Sequence, residues 1–181
     1  MKVYIRCKGT EINSHLVRYA IQWFAHMLMS AQLCKNLEIR IIHRLFDEKA
    51  KILAESDFND DMDNPNYRRF SIWINPTLPY HIYMTSLAHE MVHVKQWATG
   101  ELRGSLRWPH LTKWKDEYIE EQSQNYYEYP WEIDAYGRSV GLYRRFRNHI
   151  KKNKLTFDEK VKFDHRKVLD ERRIRTKPSN D

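Results

Sequence analysis

The stretch 80–98 constrains this chain more than any other. Between Ile82 and Val94 the only charged side chain is Glu90, while Met84, Leu87, Met91, Val94 and Ala98 recur at helical spacing. Gly100 supplies the stop. A helix so apolar belongs inside a core, yet it carries His89, Glu90 and His93 on its other side. Buried groups of that kind need partners, because an unpaired polar or charged atom inside a protein is costly. The fold must therefore bring something to this helix that two imidazoles and a carboxylate can bind.

On a helix, positions i and i+4 lie one turn apart on the same face. His89 and His93 can then aim two nitrogens at one metal ion. Glu90 follows the first of them, near the metal but off the ligand face, where a carboxylate can take a proton from metal-activated water. In a chain with 9 His, the bare pattern His-Glu-x-x-His arises by chance in about a few per cent of cases, so the apolar context carries the weight. A hydrolytic zinc site uses three protein ligands and leaves one position open. The third is expected in Tyr129-Pro130-Trp131-Glu132-Ile133-Asp134-Ala135-Tyr136-Gly137, where a second helix begins with a first-turn proline. Glu132 and Asp134 compete there, about 200° apart around the axis. Asp134 shares its face with Arg138 and Arg145, and Glu132 shares its face with Ala135, Ser139, Tyr143 and Phe146. Glu132 is the preferred ligand, with Asp134, His110 and His81 as alternatives. A donor for a developing oxyanion is sought among Tyr136 and Tyr129, with Tyr126, Tyr127 and His110 also in view.

The remaining elements read less sharply. Residues 2–8 alternate as a strand, and Ser14 is a plausible N-cap for an amphipathic helix running to Leu33. Residues 37–45 and 69–75 read as strands. Residues 57–67 hold four Asp and three Asn, a turn-rich loop whose spacing does not fit an EF-hand. Residues 101–128 show no period. The second helix is expected over 130–150.

At 181 residues the chain suits one domain with an extension. We place the domain at 1–150 and a basic C-terminal extension at 151–181, an exposed helix with a frayed tail, holding 11 Lys and Arg against 6 Asp and Glu. The net charge of +7 permits contact with nucleic acid through that extension without requiring it. Cys7 and Cys34 make no disulfide framework and read as reduced thiols. With no signal-peptide core and no apolar run long enough for a bilayer, the sequence reads as soluble, cytoplasmic and free of membranes.

The pairing of His-Glu-Met-Val-His-Val with a later Pro-Trp-Glu-Ile-Asp-Ala resembles the zincin metallopeptidases, specifically the gluzincin type with a glutamate as third ligand. It is similar to phage-encoded metallopeptidase sequences and to ImmA/IrrE-type peptidases. SprT-like proteases share the first motif but use a histidine as third ligand, and no suitable His occurs here. The resemblance covers residues 85–96 and 129–137. It implies an α+β, zincin-like fold in which a small mixed or antiparallel sheet packs on the N-terminal helix and the His-Glu-x-x-His helix. A further helix would carry the third ligand. It implies Zn2+ held by His89, His93 and Glu132, with Glu90 as general base of a zinc metalloendopeptidase acting on a protein or peptide substrate. It also implies that the strand near 69–75 edges the cleft and pairs with extended substrate. If phage-encoded, the enzyme works in the host cytoplasm. Two other readings stay open: a DNA-associated protease, and a zinc-stabilised phage structural or binding protein without turnover.

Overall fold

The computed structural model describes residues 1–6, 12–47, 52–58, 68–104, 110–120, 125–159 and 161–174. Cys7 and nearly all of the Asp/Asn-rich stretch lie outside them. Among these described residues, two sheets and five helices make an α+β architecture. Strands β1 (Lys2–Arg6), β2 (Glu38–His43), β3 (Ala54–Phe58) and β4 (Arg69–Ile74) form the larger sheet in the order β1-β2-β4-β3. The β1–β2 and β2–β4 pairs are parallel and β3 is antiparallel to β4, so the sheet is mixed, as expected. Period-two burial follows the pleat: Ile39, Ile41, Phe70, Ile72 and Ile74 are all sealed in the core.

The first helix is shorter than its periodicity suggests. Helix α1 (Ser14–Leu28) ends where Ser30 turns the chain and caps α2 (Ala31–Lys35), its hydroxyl accepting from the Leu33 N–H at 3.2 Å. Its own cap is Asn13, not Ser14: the Asn13 Oδ1 accepts from the backbone N–H groups of His15 and Leu16 at 2.9 and 3.1 Å. Helix α3 (Tyr80–Thr99) is the axis of the domain, and Met84, Leu87, Met91, Val94 and Ala98 are buried as the stripe requires. Gly100 caps it at φ +77°, a left-handed conformation that glycine enters without a Cβ clash.

Two expectations are corrected here. Residues 101–128, unreadable as regular structure, hold a second antiparallel sheet of β5 (Leu102–Gly104), β6 (Leu111–Trp114) and β7 (Glu117–Glu120), then a 3-10 turn at Tyr126–Glu128. Strands of three or four residues are too short to show alternation. And β4 does not edge the larger sheet, because β3 covers it; among the described residues β3 is the outer strand on that side.

Helix α4 (Pro130–Asn153) packs on α3 and α1, and α5 (His165–Ile174) packs on α1. Residues from 151 onward were expected to project as an extension. Instead Leu155, Phe157, Val161 and Phe163 pack against the core and Val168 is fully buried within it. His149, itself buried, pairs with the Tyr19 hydroxyl at 2.9 Å and with Glu171 Oε1 at 2.8 Å. The Arg172 guanidinium donates to the Met29 carbonyl at 3.0 Å. These apolar residues stand singly among charges, so no helical or strand period betrays them. No helix among the described residues is long and apolar enough to cross a membrane.

Val168→Asp should lower unfolding free energy in urea by about 3–5 kcal/mol, the range for an uncompensated buried charge. A loss under about 0.5 kcal/mol, the size of a surface substitution, would show that α5 is not part of the core.

Candidate metal centre

Helix α3 sets His89 and His93 one turn apart, with ring centroids 4.7 Å apart. Their Nε2 atoms converge to 3.0 Å. From the first turn of α4, Glu132 enters between them, with Oε2 3.3 Å from His89 Nε2 and Oε1 3.3 Å from His93 Nε2. All three side chains are buried. Small residues let α4 approach: Ala135 and Ser139, on the Glu132 side of the helix, are buried too. Among the described residues, this is the one group of His, Cys, Asp and Glu side chains able to hold a metal ion.

The donor spacing fits an ion. Two donors bound tetrahedrally at zinc-like lengths of about 2.0–2.1 Å lie about 3.3–3.4 Å apart. The three observed separations are 3.0, 3.3 and 3.3 Å. The buried Glu132 Oε2 atom has His89 Nε2 at 3.3 Å but, among the described residues, no hydrogen bond of good geometry, a costly state for a carboxylate oxygen unless a cation sits against it. His89 and His93 together offer soft nitrogen donors and Glu132 a hard oxygen, a set that suits a borderline divalent metal.

Electrostatics of the bare site point the same way. Burial raises the Glu132 pKa, but the two imidazoles outweigh it and hold the carboxyl down at about 2. Burial lowers that of His93; Glu132, Glu90 and Gln96 outweigh it, and the net shift is upward. Glu90 is 4% exposed. Burial pushes its carboxyl up, against the lowering influence of His93, a hydrogen bond from Ser56 and His89, while Glu132 adds to the rise. Glu90 stands outside the three-ligand group. It is a buried carboxylate beside the site with no salt-bridge partner in its own fold among the described residues.

The residues around the site sort as follows. Tyr136 lies over the His89 ring, centroids 4.4 Å apart, and is half exposed. Tyr127 packs against Tyr136 at 5.7 Å and Tyr126 against Tyr127 at 5.4 Å. Burial of its hydroxyl end, with the Glu132 carboxylate nearby, drives the Tyr126 pKa upward. Tyr129 is corrected: its ring stacks on Trp131 at 4.6 Å and 6°, inside a separate cluster with Leu102 and Trp114. Its hydroxyl is buried there, with no hydrogen-bond partner among the described residues. Asp134 pairs with Arg138 at 2.6 Å, as its helical spacing suggests, and stays out of the ligand group. His81 and His110 are exposed and do not join it.

Two contributors escaped the sequence. Ser56 sits on β3, a strand with no alternation, so nothing marked it. Gln96 is fully buried and accepts from His93 Nδ1 at 2.9 Å; its signal was a polar residue three positions after His93 on an otherwise apolar helix. No family model, no characterised protein and no solved structure matches this chain.

Purified protein should bind one divalent metal ion per chain, and His93→Ala or Glu132→Ala should each abolish stoichiometric binding in equilibrium dialysis. Metal-free protein adds a pH test. A carboxyl held at about 2 when folded stabilises the fold above the unfolded value of about 4.3, and that contribution drains away as pH falls towards 2. The Glu132→Gln variant should lack this component of the acid-unfolding curve. Parallel curves for the two proteins between pH 4.5 and 2 would contradict it.

Proposed function

We propose that the protein is a zinc-dependent peptidase of the zincin kind, with His89, His93 and Glu132 as ligands and Glu90 as general base. The observation that carries this is Glu90: a buried carboxylate adjoining a three-donor metal site, yet outside the ligand set. A purely structural zinc site is closed by a fourth protein ligand, and among the described residues no fourth His, Cys, Asp or Glu joins the group.

When bound, zinc makes a water acidic enough to lose a proton near neutral pH. Glu90 is the group that receives that proton. Its upward-shifted pKa, set first by burial, moves it closer to the operating pH, where a general base works best. The hydrogen bond with Ser56 of β3 orients the carboxylate and ties it to the outer strand of the sheet. That strand, in place of the β4 edge expected from sequence, offers backbone groups against which an extended peptide can lie. The half-exposed phenols of Tyr126 and Tyr136 flank the site, one near Glu132 and one over His89, and serve as donors to an oxyanion at the carbonyl under attack.

The decisive comparison is Glu90→Gln. This variant should bind zinc as the wild type does and cleave an unstructured protein substrate at least about 100-fold more slowly. Equal turnover by the two proteins removes Glu90 from the chemistry. Zinc binding with no cleavage by the wild type, across a broad set of unfolded substrates, favours a non-catalytic zinc protein instead.

A further inference from the structure

We infer that Gln96 is a positioning residue for the metal centre: it presents the metal-facing nitrogen of His93 and, through the same amide, locks the helix that carries Glu132. The inference rests on the zinc-site reading above and assigns a role to a residue outside the ligand set.

Gln96 is fully buried one turn beyond His93 on α3. Its amide makes three contacts: His93 Nδ1 at 2.9 Å, the Trp131 carbonyl oxygen at 2.9 Å and Asp134 Oδ2 at 3.3 Å. Chemistry fixes which end of the amide faces which partner. A backbone carbonyl can only accept, and so can the Asp134 carboxylate, whose other oxygen is paired with the Arg138 guanidinium. The Nε2 group must therefore face α4, and the Oε1 atom must face the histidine. An amide oxygen can only accept, so His93 Nδ1 carries a proton. Its Nε2 lone pair is then the one left to face His89 and Glu132.

The second half of the inference follows from where the donor end lands. Trp131 and Asp134 bracket Glu132 in the first turn of α4. A rigid amide joining Nδ1 of one ligand to the turn that carries another sets their relative position without touching the metal. Bonded at both ends, the buried amide leaves neither its oxygen nor its nitrogen orphaned in the core. Asp134 extends the chain to Arg138, whose Nε donates to Oδ1 at 2.6 Å. Among the described residues His89 has no counterpart: its Nδ1 is buried without a hydrogen-bond partner there, and its ring rests on Tyr136. The support is one-sided, so Gln96 should matter more than a partner that shares its task.

The test uses the full chain loaded with zinc. In Gln96→Met, similar in shape but with neither donor nor acceptor, zinc affinity measured against a chromophoric chelator should fall about 10–100-fold. In the imidazole region of the 1H–15N spectrum, the His93 Nδ1 proton should be slow to exchange in the wild type and fast in the variant. Gln96→Glu keeps the acceptor and loses the donor; it should restore the slow His93 proton and recover part of the affinity. A zinc affinity for Gln96→Met within twofold of wild type overturns the inference, provided His93→Ala still loses the metal. So does a wild-type His93 bearing its proton on Nε2, a result that needs no variant to fold. If the wild type binds no zinc at all, the metal-centre reading itself fails, and this outcome is distinct from the other two.

Discussion

The structure turns on the packing of α4 against α3. Each helix alone carries an unsolved electrostatic problem: two imidazoles and Glu90 inside an apolar face on one, and a buried carboxylate on the other. Docked, they answer one another, with Glu132 spanning both Nε2 atoms at 3.3 Å. Burial alone would push the Glu132 carboxyl upward; the imidazoles pull it down to about 2. The contact is possible because Ala135 and Ser139 add no bulk on the approach. The candidate metal site is arranged around that seam. The larger sheet backs it, Ser56 reaches Glu90 from the outer strand, and Tyr126 reaches Glu132 from the turn before α4.

Beside the three donors, the Glu132 carboxylate adds to the upward shift of the buried Glu90 carboxyl, a repulsion between two acids. The surrounding fold resists this by tying the seam at several points. Gln96 joins the helices through one amide. At the far end of α4, His149 links Tyr19 of α1 to Glu171 of α5, and Phe157 and Phe163 pack edge-on against the Tyr19 ring. The C-terminal residues thus brace the long helix that carries the third ligand. The described basic side chains of this segment, Lys151, Lys152, Lys154, Lys162, Arg166, Lys167 and Arg172, are exposed.

Legibility tracked the range of the interaction. His89 and His93 meet through the pitch of one helix, and the apolar stripe that buries α3 is equally local, so both could be read directly. The choice of Glu132 over Asp134 was also readable, because Asp134 has Arg138 one turn on and Glu132 has small neighbours. Asp134 nonetheless receives Gln96, a contact across 38 residues that no helical wheel contains. Ser56 was invisible for a different reason. Its strand, Ala-Glu-Ser-Asp-Phe, has neither alternation nor β-branched residues and exists because β4 offers it a ladder. Tyr129 was misassigned because adjacency in sequence to Pro130 said nothing of direction. Its ring finds a flat partner in Trp131 and turns into the second cluster.

By itself, then, the sequence determined what recurs within a turn or two of helix: the buried α3, its two imidazoles on one face, the carboxylate beside them and the start of α4 at Pro130. Those features depend on 3.6-residue geometry and on the cost of burying charge, both of which act locally. Only the tertiary structure decided which of the described strands lies outermost beside β4, which phenol lies over His89, and that Leu155, Phe157, Val161, Phe163 and Val168 are packed. Each of these depends on pairing between segments far apart in the chain. Such pairing is set by the shape and free hydrogen-bonding edges of the assembled core, which no short stretch of residues encodes.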